Sequence, residues 1–390
     1  MQKEKLIIIS SVLVDVIGFG IVIPILPYYI TEFGALPSTI TLMFASFSFF
    51  AFLSAPLLGA WSDRIGRRPV LILSIMSTAI GWFVFASAGS LWQLFLGRII
   101  DGAAAGNFTI AQSYMVDIAK DEKERTANIG IIGAAFGIGF ILGPLIGGLL
   151  SQVSHSFPFW IAGCMAAFNA VMAFFILPES NKKRDPHKPM SFNPIAPLAR
   201  AAQDKKLRPL YFTWSFFAFA NVTGQSVFAL FTKDVFGFSS FQTGMLFTVV
   251  GGTLVLNQAL LLKKFWIAKF SESTLEMIML VILSSGLLLI SSKMLPLFYF
   301  GLLGMGTGQA VLRVVLTSQA AGASDPTKKG ETMGILTALM AAHMVIAPIL
   351  SGYLYEAGHS LPYIFSAILL LLGLYFADRF KRLALQKSSS

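Results

Sequence analysis

Apolar residues run along this chain in long blocks separated by short polar stretches. Crossing the hydrocarbon core of a bilayer takes about 20 predominantly apolar residues in a helix. Twelve such blocks occur, at 6–30, 38–61, 69–88, 91–115, 129–152, 157–178, 209–232, 239–262, 275–292, 295–317, 331–354 and 361–379. Their length and continuity predict helices; barrel strands are about half as long and alternate in polarity. The longest connection, "PESNKKRDPHKPMSFNPIAPLARAAQDKKLRP" at 178–209, is rich in Pro and Lys and divides the spans six and six. The expected fold class is therefore an all-α membrane protein: twelve transmembrane helices in two pseudo-symmetric six-helix halves. The halves are placed at residues 1–180 and 209–390, with a linker at 181–208 carrying one short surface helix. The two halves also echo each other. "GPLIGGLL" (143–150) in span five matches "APILSGYL" (347–354) in span eleven, Pro144 answering Pro348 and Gly148 answering Gly352, as a duplicated unit predicts.

Composition agrees. Of 390 residues, 55% are hydrophobic and only 12% charged, against about 25% charged in globular domains. There is too little polar surface to coat a soluble body. The net charge of +10 would suggest nucleic acid in a soluble protein. Here Lys and Arg fall in short loops, where they act as topology signals and headgroup contacts, so no nucleic-acid partner is expected. With the N-terminus inside, the inner segments hold Lys3, Lys5, Arg64, Arg67, Arg68, Lys120, Lys123, Arg125, the 182–208 cluster, Lys263, Lys264, Lys269, Lys328, Lys329 and the C-terminal basic residues. The outer loops hold Lys233 and Lys293 alone. The positive-inside rule then puts both termini in the cytoplasm. The first apolar block has no cleavage-site pattern and is read as a retained helix.

Catalytic chemistry finds no footing. Cys164 stands alone, the histidines at 155, 187, 343 and 359 are scattered, and no His-x-x-x-His pair occurs. Neither a metal site, a cofactor nor an enzyme activity is expected.

Polar residues inside the spans are the candidates for function, because burying a charge in lipid costs at least about 2.5 kcal/mol. Asp15 lies in "DVIGFGIVIPILPYY" (15–29) of span one, near mid-membrane. Arg98 and Asp101, at similar depth in "LWQLFLGRIIDGAAAGNFTIAQSYMVDI" (91–118) of span four, are three residues apart and share a helix face. Asp15 could be held charged by Arg98 as a permanent structural pair, or could take a proton when desolvated and unpaired. Arg98 and Asp101 could equally form an internal structural pair. Asn107, Gln112, Asn221, Gln225, Asn257, Gln258 and Gln309 could bond a ligand or bond helix to helix; Arg313 could snorkel; His343 could pack or handle protons. Span seven, "YFTWSFFAFANVTGQSVFALF" (211–231), would suit a flat lipophilic substrate if its aromatic rings face a cavity.

The loop after span two, "GAWSDRIGRRP" (59–69), combines Gly59 for close helix approach, Asp63 as an acceptor, Gly66 for a tight turn and Pro69 to open the next helix. Its charges alone would also serve as a topology signal. Span five, "GAAFGIGFILGPLIGG" (133–148), reads as a glycine-rich packing face bent at Gly143–Pro144.

These stretches resemble a known family. Gly59, Asp63, Arg64, Gly66, Arg67 and Arg68 fill the signature loop of the major facilitator superfamily, and the twelve-span, two-half layout extends the likeness over nearly the whole chain. Within it, span one resembles the twelve-span drug:proton antiporters, closest in look to the tetracycline efflux branch. The resemblance implies a proton-coupling role for Asp15, Arg98 and Asp101. It also implies an inner latch joining Asp63, Arg67 and Asp117. Gly133, Gly137, Gly143, Pro144, Gly147 and Gly148 fit the family's antiporter motif, which implies export. A substrate cavity is expected near Asn107, Gln112, Asn221, Gln225, Gln258, Arg313 and His343. Tetracycline exporters carry acids within spans three and nine. Span three here has none, and span nine has only Glu276 at its inner edge, so the substrate is left open. The implied function is proton-coupled export of a small amphipathic or lipophilic compound by alternating access, in a monomer of the bacterial inner membrane, driven by the proton gradient without a cofactor. A symporter or facilitator of an organic solute, or a lysolipid exporter, would fit the same residues.

Overall fold

The computed structural model describes residues 2–181, 193 and 195–388. Among them no strand occurs, and the helices run α1 (Gln2–Thr31), α2 (Pro37–Ile65), α3 (Arg67–Ala86), α4 (Leu91–Ala103), α5 (Asn107–Asp117), α6 (Glu122–Leu150), α7 (Phe157–Ile176), α8 (Ala196–Gln203), α9 (Arg208–Phe236), α10 (Ser240–Leu256), α11 (Ile267–Lys269), α12 (Glu272–Ser291), α13 (Leu295–Ala323), α14 (Lys329–Ala357) and α15 (Leu361–Ser388). Between α10 and α11 the chain coils as a π-helix, Asn257–Trp266. The short α8 is the surface helix expected of the linker. The rest of that linker at 182–192 and 194, with its basic cluster and His187, lies outside the described residues.

Ten helices are long and apolar enough to cross a membrane. Predicted spans four and seven are not among them, for different reasons. Span seven is one full-length helix, α9, whose aromatic and polar residues lower its hydropathy. Span four corrects the expectation of a continuous helix over 91–115: it is broken between α4 and α5, at Ala104–Gly106. Serines of neighbouring helices bond carbonyls at the break. A continuous helix would bond the Ala104 N–H to Ile100 O and the Gly106 N–H to Gly102 O. In the structure Ser77 donates to Ile100 O at 2.7 Å, Ser54 joins the Ala105 N–H on Gly102 O at 2.8 Å, and the Gly106 N–H turns to Ala104 O at 2.7 Å. Serines from α3 and α2 thus satisfy backbone that the break frees, which is what lets a helix break survive inside a bundle.

Two compact units divide the chain: 1–36, 46–193 and 238–248 in one, 37–45, 194–237 and 249–390 in the other. Each therefore takes in the first turns of a helix that continues in the other, α10 and α2 respectively. The helix pairings repeat. In the first unit α1 packs on α6 and α7, and α3 on α4 and α7; in the second α9 packs on α14 and α15, and α12 on α13 and α15. Close backbone approaches repeat too. A Cβ on Gly81 would lie 2.8 Å from Gly97 O, and one on Gly286 would lie 2.9 Å from Gly301 O. The Gly148/Gly352 correspondence holds in the same way: Gly148 abuts Phe241 and Gly244 of α10, and Gly352 abuts Ser38 and Thr41 of α2.

The glycines of span five separate into two groups. Gly143 meets Gly20 and Ile17 of α1, Gly147 meets Ile21, and Pro144 lies against Gly20. Gly133 and Gly137 face open space, so the uniform packing face read from the sequence holds only for the half of α6 seated on α1 and α10. Gly59 likewise has no neighbour within 4 Å of an added Cβ, and the close approach expected there is absent. Pro69 is the third residue of α3 instead of its first, because the helix already begins at Arg67. It remains in the opening turn, where its missing N–H breaks no helical bond.

Candidate functional site

In the first unit, Asp15 of α1 and the Arg98–Asp101 pair of α4 have α3 and α5 packed beside them. Arg98 is only 2% exposed. Its Nη1 donates to Asp101 Oδ2 at 3.2 Å, and its guanidinium lies 4.2 Å from the Phe47 ring centre and 5.4 Å from that of Trp82. The ion pair is thus supplemented by two aromatic faces, each attractive to a desolvated cation. Asp15 is not part of this pair, so the permanent Asp15–Arg98 bridge allowed by the sequence does not form. Its Oδ1 accepts instead from Asn107 Nδ2 at 2.8 Å, and its side chain is partly accessible. Asn107 is the first residue of α5, so the break in span four is what presents its amide to α1. The same Nδ2 donates to Thr78 Oγ1 at 3.2 Å. Thr78 went unnoticed in the sequence. A threonine within an apolar run carries no signal until its neighbours on other helices are known.

The signature loop closes on itself. Gly66 adopts φ 116°, a conformation that side chains avoid. Arg67 Nη2 reaches Asp63 at 2.6 Å, and Arg67 Nε reaches Asp117 at 3.2 Å, which brings together the three residues expected of the inner cluster. Arg68 Nη2 donates to Phe174 O at 2.6 Å. The start of the linker is docked against this loop, which the sequence did not foretell. The Glu179 carboxylate accepts the Arg67 N–H at 2.8 Å and the Arg68 N–H at 3.2 Å, capping the start of α3. Ser180 bonds Asp117, Asn181 bonds Asp63 O, and Tyr114 bonds Pro178 O.

The remaining candidates divide between the units. Gln112 is a partly exposed residue of the first. Asn221, Gln225, Gln258, Arg313 and His343 belong to the second. Gln258 spends its amide on Ala310 O at 3.2 Å. Arg313 is exposed. His343 packs edge-on to Phe219 at 5.4 Å, and neither ring nitrogen has a hydrogen-bond partner. Most rings of α9 are structural: Trp214, Phe217, Phe228 and Phe231 are buried, with Phe228 and Phe231 stacked on Phe298. Among the described residues no group of acids, His or Cys could hold a metal ion.

The sequence matches the Major Facilitator Superfamily profile over residues 8–271 and 258–389. It is 28% identical to "Tetracycline resistance protein, class C" of Escherichia coli, over 92% of this chain and 91% of that one. It is 26% identical to "Multidrug resistance protein 2" of Bacillus subtilis, over 95% of this chain and 93% of that one. The crystal structure of the human organic anion transporter MFSD10 (TETRAN) superposes with a TM-score of 0.70 at 25% identity, covering 96% of this chain and 99% of that one.

Proposed function

The chain belongs to the major facilitator superfamily, a family of multi-pass membrane transporters, and from that premise we propose that it exports a small amphipathic compound in exchange for protons. The single observation that carries the reading is the unequal treatment of two intramembrane acids. Asp101 has Arg98 as its countercharge, whereas Asp15 has one amide donor, no salt-bridge cation and a partly accessible side chain. Asp15 is thus the acid free to exchange a proton as the transporter cycles, and Arg98–Asp101 is the fixed charge pair beside it. Export is favoured by the similarity to tetracycline and multidrug resistance proteins and by the Gly143–Pro144 packing of α6 on α1. Alternating access around a midplane site is the fold's general mode of transport. In this reading the protein works as a monomer in the bacterial inner membrane, with both ends cytoplasmic and no cofactor. Asp63, Arg67 and Asp117 latch the inner surface, and Gln112 in the first unit and Asn221, Gln225, Arg313 and His343 in the second remain candidates for contact with substrate.

The test is transport by proteoliposomes under an imposed pH gradient, with tetracycline and ethidium as probes. Asp15→Asn is expected to lower gradient-driven accumulation by roughly tenfold or more while sparing downhill counterflow. Wild-type accumulation by that variant would overturn the assignment of Asp15.

A further inference from the structure

Beyond α10 the backbone departs from what its own residues favour. From Asn257 to Trp266 the chain is a π-helix, and the Ile267 N–H that follows still bonds Leu262 O, five residues back. Such helices are rare and most last a single turn. Residues 257–270, "NQALLLKKFWIAKF", contain no Gly or Pro, and the Ala, Leu and Lys among them are strong α-formers. Something other than local preference therefore holds the π form.

A bond between the two ends of the segment does so. Trp266 Nε1 donates to Asn257 Oδ1 at 3.0 Å. In an α-helix nine residues make about 2.5 turns and rise about 13.5 Å, which puts such a pair on opposite faces and out of reach. The wider π turn carries nine residues round about twice, back onto one face. Asn257, 2% exposed, is the fixed end: its Nδ2 donates to Thr253 O at 2.9 Å and to Thr307 Oγ1 of α13 at 3.3 Å. Gln258 adds a bond to Ala310 O of the same helix. Trp266 is the looser end, half-buried with Phe265 edge-on at 4.8 Å. The first unit shows the alternative. Phe241 and Gly244 stand against Gly148 as Ser38 and Thr41 stand against Gly352, so counting onward Trp266 answers Asp63. There α2 stays α-helical through Ile65, and Asp63 turns to Arg67.

Resting on the alternating-access reading, we propose that this π segment is the second unit's inner latch, held by the Trp266–Asn257 bond and reverting to α-helix when that bond opens. Reversion restores i→i+4 bonding and turns the residues beyond, Lys263, Lys264 and Lys269 among them, about the helix axis. It also leaves Asn257 Oδ1 without its donor in a buried place, a cost that favours the π form. The recovered α-helix favours the other. The freed indole N–H sits at the end of a span, where headgroups and water accept from it. Opposed terms of this kind make a segment that a transport cycle can tip. Asn257 and Trp266 are positioning residues in this scheme: they set the helix and bind no substrate.

A nitroxide scan tests this without any substrate, on full-length Cys164→Ser protein in phosphatidylethanolamine/phosphatidylglycerol nanodiscs. Labels are placed one at a time over 259–270, sparing Trp266, and the repeat of oxygen accessibility along the segment is read. With Trp266 in place the repeat is expected to exceed the α-helical value of about 3.6 residues. In Trp266→Phe, which keeps a ring but has no N–H to give, it is expected to fall to that value, and Asn257→Leu should do the same. An α-helical repeat with Trp266 in place, or a long repeat that survives in Trp266→Phe, overturns the latch. In proteoliposomes Trp266→Phe is expected to lower gradient-driven accumulation and downhill counterflow of tetracycline and ethidium alike, by about threefold or more, whereas Asp15→Asn spares counterflow. Unchanged transport alongside a shortened repeat also overturns it. If the wild type moves neither probe, the export reading falls and the scan decides the latch by itself.

Discussion

Arg98 is bound to Asp101, one turn along its own helix, and not to Asp15 across the bundle. Because both partners are buried, deleting one strands the other's charge, at a cost of about 3–5 kcal/mol, while replacing both with apolar residues of similar size costs much less. Arg98→Met alone is therefore expected to lower the unfolding midpoint in detergent far more than Arg98→Met combined with Asp101→Leu. Equal losses would mean that the pair is not the source of the cost.

The glycines of α6 give a paired prediction. A methyl on Gly143 would lie 2.7 Å from Gly20 Cα and 2.8 Å from Ile17 O, both backbone atoms that cannot swing aside. Gly143→Ala is expected to destabilise by about 1–3 kcal/mol, the usual cost of overpacking. Gly137→Ala meets nothing within 4 Å and should be neutral or stabilise by up to about 1 kcal/mol. Thermal unfolding of the two variants side by side checks both.

Glu179 caps α3 from outside its helix. Glu179→Ala removes the acceptor for two backbone N–H groups and is expected to cost about 1 kcal/mol. Hydrogen exchange at the Arg67 and Arg68 amides should quicken, with Glu179→Gln intermediate. Unchanged exchange in the alanine variant would show that the cap does not hold the loop.

Asp325, in the loop before α14, accepts both the N–H and the hydroxyl of Thr327, at 2.9 and 2.8 Å. The Thr327 N–H, then its hydroxyl, hold the Asp325 carboxyl below the usual carboxylate range. A depressed folded value means the turn's stabilisation is complete above about pH 4 and is lost as pH falls through the lowered value. Thr327→Val should raise the Asp325 titration midpoint, read by carboxyl NMR.

Much of this could be read from residue order. Long apolar blocks announced helices, and basic loops and a Pro/Lys-rich linker announced two halves. Asp63, Arg67 and Asp117 were joined on the strength of a motif, and they do meet. What escaped was whatever depends on a neighbour from elsewhere in the chain. The break in span four is lined by Ser54 and Ser77, whose bonds to its carbonyls cannot be seen in the sequence of span four itself. Asn107 could have bonded a ligand or a helix, and only the positions of Thr78 and Asp15 show where its hydrogens go. Gly59, Gly133 and Gly137 looked like contact points because glycine permits closeness; it does not compel it.

The exchanged helix ends bear on how such a chain can be made. Residues 238–248 complete the packing of the first unit, yet they emerge from the ribosome after its last helix, and 37–45 wait for most of the second unit before finding their place. The first unit therefore cannot be completed until residue 248 has been made, well after its last full helix, and a gene cut at the linker would yield two fragments, each missing a piece that only the other encodes.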